Sequence, residues 1–308
     1  MLYELLFIHV ETPLHAGTGR GLGGVDLPIQ RERVTNYPII QGSSVKGRLR
    51  AAIREKKGWK DSHPELLAIF GKAEGEGKSY AGAISVGDAR LLLFPVRSLS
   101  GVFAWVTSRD VLSRFIRDTR LAGLDLGWTP PPEPGENECW VAPNCAVEAN
   151  GKVTLEEFTY AVKTSAQVRE NVKTIGEWLA KNALPQTDEY AYWRENLPGH
   201  LVILRREDFR DFALYGTEVT THIKLVPDTK TVQSGALWTV ESLPADTLLY
   251  APLVIADSRT QGSVAKKAGE IRDILRKLHK SRTQLGGDET TGRGVVMLHF
   301  LSKSEVKQ

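Results

Sequence analysis

The grammar of the first fifty residues restricts this chain more than anything else in it. An apolar run stops sharply, a glycine-rich loop carries a single acid, and a helix begins. Leu2 to Glu11 (LYELLFIHVE) alternates enough to read as a strand, and Thr12-Pro13-Leu14-His15-Ala16-Gly17 ends it. Five glycines lie between Gly17 and Gly24, and Asp26 follows them. The loop leads to Gly42-Ser43-Ser44-Val45-Lys46-Gly47-Arg48-Leu49-Arg50, which predicts a helix over Ser43 to Lys57 that opens on hydroxyl caps and exposed amides. Val45, Leu49, Ala52 and Ile53 fall on its buried stripe, and Lys46, Arg50 and Arg54 line another side at i, i+4, i+8. Such a segment can seat a phosphate. It can equally be an ordinary capped amphipathic helix with solvated basic residues.

The other end of the chain carries a second glycine-rich loop. Gly286-Gly287-Asp288-Glu289-Thr290-Thr291-Gly292-Arg293-Gly294 sits between an expected helix, Val264 to Lys280, and a closing strand, Val295 to Phe300. Glycines there allow backbone to approach a ligand closely, and Arg293 supplies a charge; a flexible turn is the alternative. The loop lacks the Gly-Lys-Ser/Thr ending of a Walker loop, and it does not follow a strand as a dinucleotide fingerprint would.

Between the two ends, Ala83 to Val96 and Gly101 to Ser108 predict a hairpin around Arg97-Ser98-Leu99-Ser100. Stripped of insertions, the order is β-α-β-β-α-β, an α+β unit of the ferredoxin-like or RNA-recognition-motif kind. The aromatic strand motif that stacks bases in ordinary RNA-recognition motifs is not visible, so the sheet face is a poor platform for bases. A stiff bridge, Thr129-Pro130-Pro131-Pro132-Glu133-Pro134-Gly135, enters a middle segment with a turn at Asn150-Gly151 and a helix near Val172 to Leu184. Val219 to Val226 and Lys230 to Leu237, around Pro227-Asp228-Thr229, predict a long exposed hairpin. The whole reads as a single domain, 1–308, with insertions at about 124–200 and 201–250.

Composition narrows the partners. The chain has 308 residues, 41% of them hydrophobic and 25% charged, enough for a sizeable soluble core. No apolar run approaches membrane-spanning length and no basic region precedes the N-terminal apolar stretch, so the expected setting is the cytoplasm, away from membrane. Two cysteines, Cys139 and Cys145, with no CxxC pair, support neither a disulfide framework nor a zinc site. A net charge of only +3 argues against nucleic-acid binding through bulk charge, so any RNA contact must be a local basic groove.

The Pro13-Leu14-His15-Ala16-Gly17 turn, the Val25-Asp26-Leu27-Pro28-Ile29-Gln30-Arg31-Glu32 stretch, the Gly42-Ser43-Ser44-Val45-Lys46-Gly47 start and the late glycine loop, in that order, resemble the RAMP superfamily of CRISPR proteins. More narrowly, Asp26-Leu27-Pro28-Ile29 and Leu237-Trp238-Thr239-Val240-Glu241-Ser242-Leu243-Pro244 are similar to the repeated backbone subunit of the type III-B (Cmr) effector complex. The resemblance covers both ends and about 219–250; it does not extend to the region between Gly123 and Leu201. It implies a subunit that polymerises head-to-tail along a guide (CRISPR) RNA among other Cmr subunits. It also implies metal-dependent cleavage of the paired single-stranded target RNA at regular intervals. The exposed hairpin would then be a thumb that reaches across the guide-target duplex.

Asp26 is the leading catalytic candidate: a carboxylate in such a loop can coordinate Mg²⁺ or a similar divalent metal, or position the attacking 2′-hydroxyl. A lone loop aspartate can also be a cap or a solvated charge; the resemblance matches Asp26 to the family's cutting acid. Glu241 matches a second acidic position, from which an adjacent copy would lend a carboxylate; otherwise it is a strand-end glutamate. His15 is a possible general base at neutral pH or a structural histidine. Arg31 and Arg33 flank the acid loop and could pair with target phosphate. Ser43, Ser44, Lys46 and Arg50, with Gly286, Gly287, Gly292 and Arg293, are the expected guide-phosphate seat. No GxSxG, HExxH or paired Cys-His arrangement offers another chemistry. Two other functions remain open: a purely architectural crRNA-binding subunit, and a metal-independent RNA-processing ribonuclease of the same superfamily that uses His15.

Overall fold

A computed structural model of the protein describes residues 1–21, 23–72 and 79–306. The opening strand, Leu2–Val10, is buried from Leu5 onward on both faces, which is why its sequence is nearly continuous in apolar residues. It lies at the centre of an antiparallel layer. Val295–Leu301 pairs along one edge with Leu5 opposite Leu301, and Leu248–Ile255 along the other with Leu2 opposite Ile255. Ala89–Arg97 pairs beyond Leu248–Ile255. The helices Gly42–Lys57 and Ala268–Leu275 follow the first and third of these strands in chain order and touch each other.

This arrangement corrects one placement. The hairpin of Ala89–Arg97 with Phe103–Ser108 forms as its short turn predicts, with Phe94 opposite Val106. Phe103–Ser108, however, lies on the side away from the opening strand. The strand beside the opening one is Leu248–Ile255 (LLYAPLVI), and the chain from 98 to 247 is an excursion between the second and third strands of the layer. The expected strand Ala83 to Val96 is in fact two pieces, Ile84–Val86 and Ala89–Arg97. They break opposite Pro252, which has no amide to donate; its carbonyl takes the Gly87 amide at 2.9 Å.

The excursion extends the same sheet. Leu201–Leu204 pairs parallel to Phe103–Ser108 and antiparallel to Glu138–Val141, and the hairpin Lys152–Leu155 with Phe158–Val162 continues beyond. Asn150 and Gly151 both take positive φ, and Ala149 and Lys152 exchange backbone hydrogen bonds across them, as the Asn-Gly turn predicts. The helix expected near Val172 runs from Ala166 to Asn182. Among the described residues the sheet has twelve strands, and no helix is long and apolar enough to cross a membrane.

The expected Val264 to Lys280 helix is shorter. A 3₁₀ turn at Gly262–Val264 precedes the α-helix Ala268–Leu275, and another 3₁₀ turn, Arg276–Leu278, follows it. Asp257 accepts from the Ala268 amide and Glu270 from the Lys267 amide, each at 2.8 Å. Those two carboxylates fix the helix start after the basic pair Lys266-Lys267. Ser281–Gln284 then forms a strand, so the late glycine loop joins two paired strands and not a helix to a strand.

Glu218–Leu225 and Val232–Ser242 form a separate two-stranded sheet, with Thr221 opposite Thr239 and Ile223 opposite Leu237. Val219, Ile223, Leu225, Val232 and Leu237 are all exposed on it. The hairpin expected from the sequence is thus present as a sheet of its own, separate from the main one.

Candidate nucleic-acid interface and acid loop

The described residues of the glycine-rich segment before Asp26 form no helix or strand, and the base of the hairpin holds the acid that follows them. The Leu27 amide donates to Thr239 O at 3.0 Å and the Glu241 amide to Leu27 O at 3.0 Å, a short parallel ladder that lays residues 26–29 along Val232–Ser242. Asp26 and Thr239 are joined three times. The Asp26 amide donates to Thr239 Oγ1 at 2.9 Å, and Asp26 Oδ2 accepts from the Thr239 amide at 2.8 Å and from Thr239 Oγ1 at 2.9 Å. No hydrogen bond reaches Oδ1 among the described residues, and the side chain is exposed. The Thr239 amide first, then its hydroxyl, hold the Asp26 carboxyl below the usual carboxylate range. Asp26 is therefore ionised at neutral pH, a weak proton acceptor but a good electrostatic or hard-cation ligand.

Glu241 sits two residues farther along the same strand, and its surroundings are different. It is 6% exposed; Oε2 accepts from the Ile29 amide at 2.9 Å, and Oε1 accepts from Thr217 Oγ1 at 2.8 Å and pairs with Arg31 at 2.5 Å. Arg31 also donates to the carbonyls of Asn36, Ala213 and Leu214. Both residues, expected at the RNA, instead form a hydrogen-bonded ion pair, Glu241 buried and Arg31 partly so, that fastens the acid loop to the hairpin base. Arg33 is exposed.

His15 lies between the two glycine loops. Its Nδ1 is 2.6 Å from Glu241 O; a carbonyl only accepts, so Nδ1 carries the proton and Nε2 is the ring's accepting atom in the neutral form. A Cβ on Gly17 would stand 2.5 Å from that Nε2, so any larger residue there would displace the His15 ring. The late loop closes over the same turn: the Gly287 amide donates to His15 O and the Gly294 amide to Pro13 O. Gly286, at φ 82°, passes so close that a Cβ would lie 2.3 Å from His15 O. The two segments of the resemblance, some 270 residues apart, meet in space.

Between the first helix and the late loop lies a cleft of about 500 Å³, lined among others by Gly17, Gln30, Ser44, Arg48, Gln284 and Gly286. Gly47 and Gly287 also line it. Of the expected phosphate ligands, Ser44, Gly286 and Gly287 are thus in one place. Ser43 is exposed beside it, whereas Gly292 and Arg293 are not in the lining. Arg293 reaches the hairpin base, with Nη1 3.2 Å from Ser242 Oγ and Nη2 3.3 Å from Thr220 Oγ1.

The basic stripe is largely spent elsewhere. Lys46 donates to Ile84 O, and burial lowers its pKa. Arg50 bonds Gly71 O and Asp61 O, and Arg54 pairs with Asp61. The cation turned toward the cleft is Arg48, a residue the i, i+4, i+8 reading passed over. Its Nε donates to Thr283 Oγ1, and its other partner is the exposed Glu55. The hydroxyl caps also fail to form: Gln41 is the N-cap, and Asp88 Oδ1 accepts the Gly42 amide at 2.8 Å. A carboxylate already occupies the anion position at the helix start.

Both cysteines are buried and free, and burial pushes the Cys139 thiol up to about 12 and the Cys145 thiol up to about 11, which makes them inert. No cluster of three or more His, Cys, Asp or Glu suited to a metal occurs among the described residues. Any cation at Asp26 would have to take most of its ligands from RNA and water, a mode that suits Mg²⁺.

The model of the RAMP superfamily matches residues 7–296 of the chain. The CRISPR system Cmr endoribonuclease Cmr4 of Pyrococcus furiosus is 36% identical over 293 residues, 95% of this chain and 93% of that protein. The CRISPR system CMR subunit Cmr4 of Saccharolobus solfataricus is 26% identical over 96% of each. Among solved structures, oligomeric Cmr4 from Pyrococcus furiosus superposes with a TM-score of 0.73 at 30% identity, covering 98% of both chains. A chain of the type III-B Cmr-beta complex bound to cognate target RNA shares the fold, with a TM-score of 0.71 at 21% identity.

Proposed function

The chain belongs to the RAMP superfamily, and from that premise we propose that it is a guide-RNA-binding backbone subunit of a type III-B effector complex that cuts the paired target RNA. The observation that carries this reading is the separation of two sites on one chain. A polar, glycine-lined cleft with one inward arginine suits a phosphate backbone, while an ionised, exposed carboxylate that is not part of the cleft lining is held on the acid loop at the base of the hairpin. The guide would lie along the cleft, held through its backbone so that its bases stay free to pair. The hairpin would act as the thumb, and copies would stack head-to-tail. An oligomeric relative at 30% identity supports the stacking. The strand order, with Val295–Leu301, Leu2–Val10, Leu248–Ile255 and Ala89–Arg97 side by side, supports reading the core as ferredoxin-like.

In cleavage the target's 2′-oxygen bonds to the adjacent phosphorus to give a 2′,3′-cyclic phosphate, its proton going to solvent or a base, while the P–O5′ bond breaks and the leaving 5′-oxygen takes a proton from solvent. Asp26 would orient that hydroxyl or hold a divalent cation through Oδ1; the cation, when bound, neutralises charge developing on the phosphate. Glu241 acts as the buried anchor of the loop in this reading, not as a second catalytic carboxylate. With Nδ1 directed at the Glu241 carbonyl, Nε2 is the atom of the His15 ring that would accept a proton in a metal-independent cleavage.

Asp26→Asn in the assembled complex tests the proposal. Assembly and target capture should survive while every band of the cleavage ladder disappears, and Mg²⁺ removal should do the same. Loss of a single band would contradict one site per copy. Normal cutting by Asp26→Asn with an inactive His15→Ala would point to a metal-independent enzyme; normal cutting by both would leave the subunit architectural.

A further inference from the structure

The segment that carries Asp26 follows five glycines and owns no helix or strand to fix its side chain. A catalytic carboxylate on such a segment needs an external support, since misplacement by about 1 Å can cost on the order of 100-fold in rate. We propose that Thr239 is the positioning residue for Asp26: its hydroxyl and amide lock the carboxylate in one rotamer and make cutting depend on the hairpin strand that bears it. This deepens the proposed function and rests on Asp26 being the cutting acid.

The geometry admits only one proton arrangement. Thr239 Oγ1 accepts the Asp26 amide at 2.9 Å, so its single proton is left for Oδ2, also at 2.9 Å. Oδ2 takes a second proton from the Thr239 amide at 2.8 Å and is thereby occupied. Oδ1 remains the outward oxygen. Thr239 is β-branched and paired opposite Thr221 within the hairpin, so its χ1 is stiff and its position is set by the strand. The same strand carries Glu241, whose pairing with Arg31 and the Ile29 amide fixes the far end of the acid segment. A shift of the hairpin would therefore carry the acid with it.

The charges around Asp26 are few. Arg20 acts across the loop, Glu241 is compensated by Arg31, and the facing strand contributes Thr221 and Val219, which are neutral. The Thr239 bonds favour the ionised carboxylate.

Thr239→Val keeps shape and strand propensity without the hydroxyl; Thr239→Ser keeps the hydroxyl. In the assembled complex with saturating target, Thr239→Val should cut about tenfold more slowly in single turnover, with target affinity and melting temperature unchanged. Thr239→Ser should recover most of the rate. A purely structural role would lower assembly or melting temperature together with the rate. If Thr239→Val fails to assemble, Thr239→Ala replaces it with the same expected outcomes. Wild-type rate in the hydroxyl-free variant, or a serine variant as slow as it, overturns the proposal. Asp26→Asn runs in parallel. Should that variant be inactive while Thr239→Val is normal, only the Thr239 proposal falls; should it cut normally, the catalytic reading and this proposal fall together.

Discussion

Arg48 and Lys46 stand two residues apart on one helix and meet opposite fates. At about 100° per residue they face different directions: Lys46 turns under the sheet to Ile84 O, and Arg48 turns to the cleft. Its pair with exposed Glu55 is a surface salt bridge, worth about 0–1 kcal/mol, so a phosphate can displace the carboxylate at little cost. Arg48→Ala should therefore weaken binding of single-stranded RNA equally across sequences and reduce the slope of log K against log salt by about 0.7, one phosphate's share. Lys46→Ala should leave the slope nearly unchanged. Titration by fluorescence anisotropy between low and moderate salt measures both. A slope change carried by Lys46 alone would return the seat to the stripe first expected from the sequence.

At the scale of the element, the hairpin is a two-stranded sheet of its own, outside the main sheet. An isolated two-stranded hairpin is marginal in water, and most of this one is exposed. Its base is another matter: Leu14 pairs with Leu243, Leu27 sits in the ladder with Thr239 and Glu241, and the Arg31–Glu241 pair locks the join. The distal half can thus be shortened without loosening the acid loop. Deletion around Pro227-Asp228-Thr229 should leave guide binding intact and change the spacing or efficiency of target cuts. A folded, assembled deletion variant with an unaltered ladder would show that the hairpin plays no part in cutting.

Across the whole molecule, acid sensitivity is built into the central layer. His9 in the opening strand and His299 in the closing strand are buried, and burial pushes their pKa values down to about 4 and about 3. Both stay neutral in the folded chain where the unfolded chain, at about 6.5, takes up protons. The unfolded state then binds more protons, so stability falls as pH drops below about 6.5, by about 2 kcal/mol for each histidine at pH 5. Urea unfolding at pH 7.5 and pH 5 should show this as a lower midpoint at pH 5; equal midpoints would contradict it. The sequence by itself determined what depends on neighbours along the chain. That covers the apolar opening and closing strands, the helix after the first loop, the Asn-Gly turn, the long hairpin and a lone acid at the end of a glycine-rich loop. Tertiary structure alone decided what depends on partners far along the chain. Leu248–Ile255 takes the place beside the opening strand, Arg31 is consumed by Glu241 210 residues away, and Asp26 is gripped by Thr239 at a separation of 213. Periodicity and propensity are local quantities, whereas the availability of a charge is set by which distant groups fold against it.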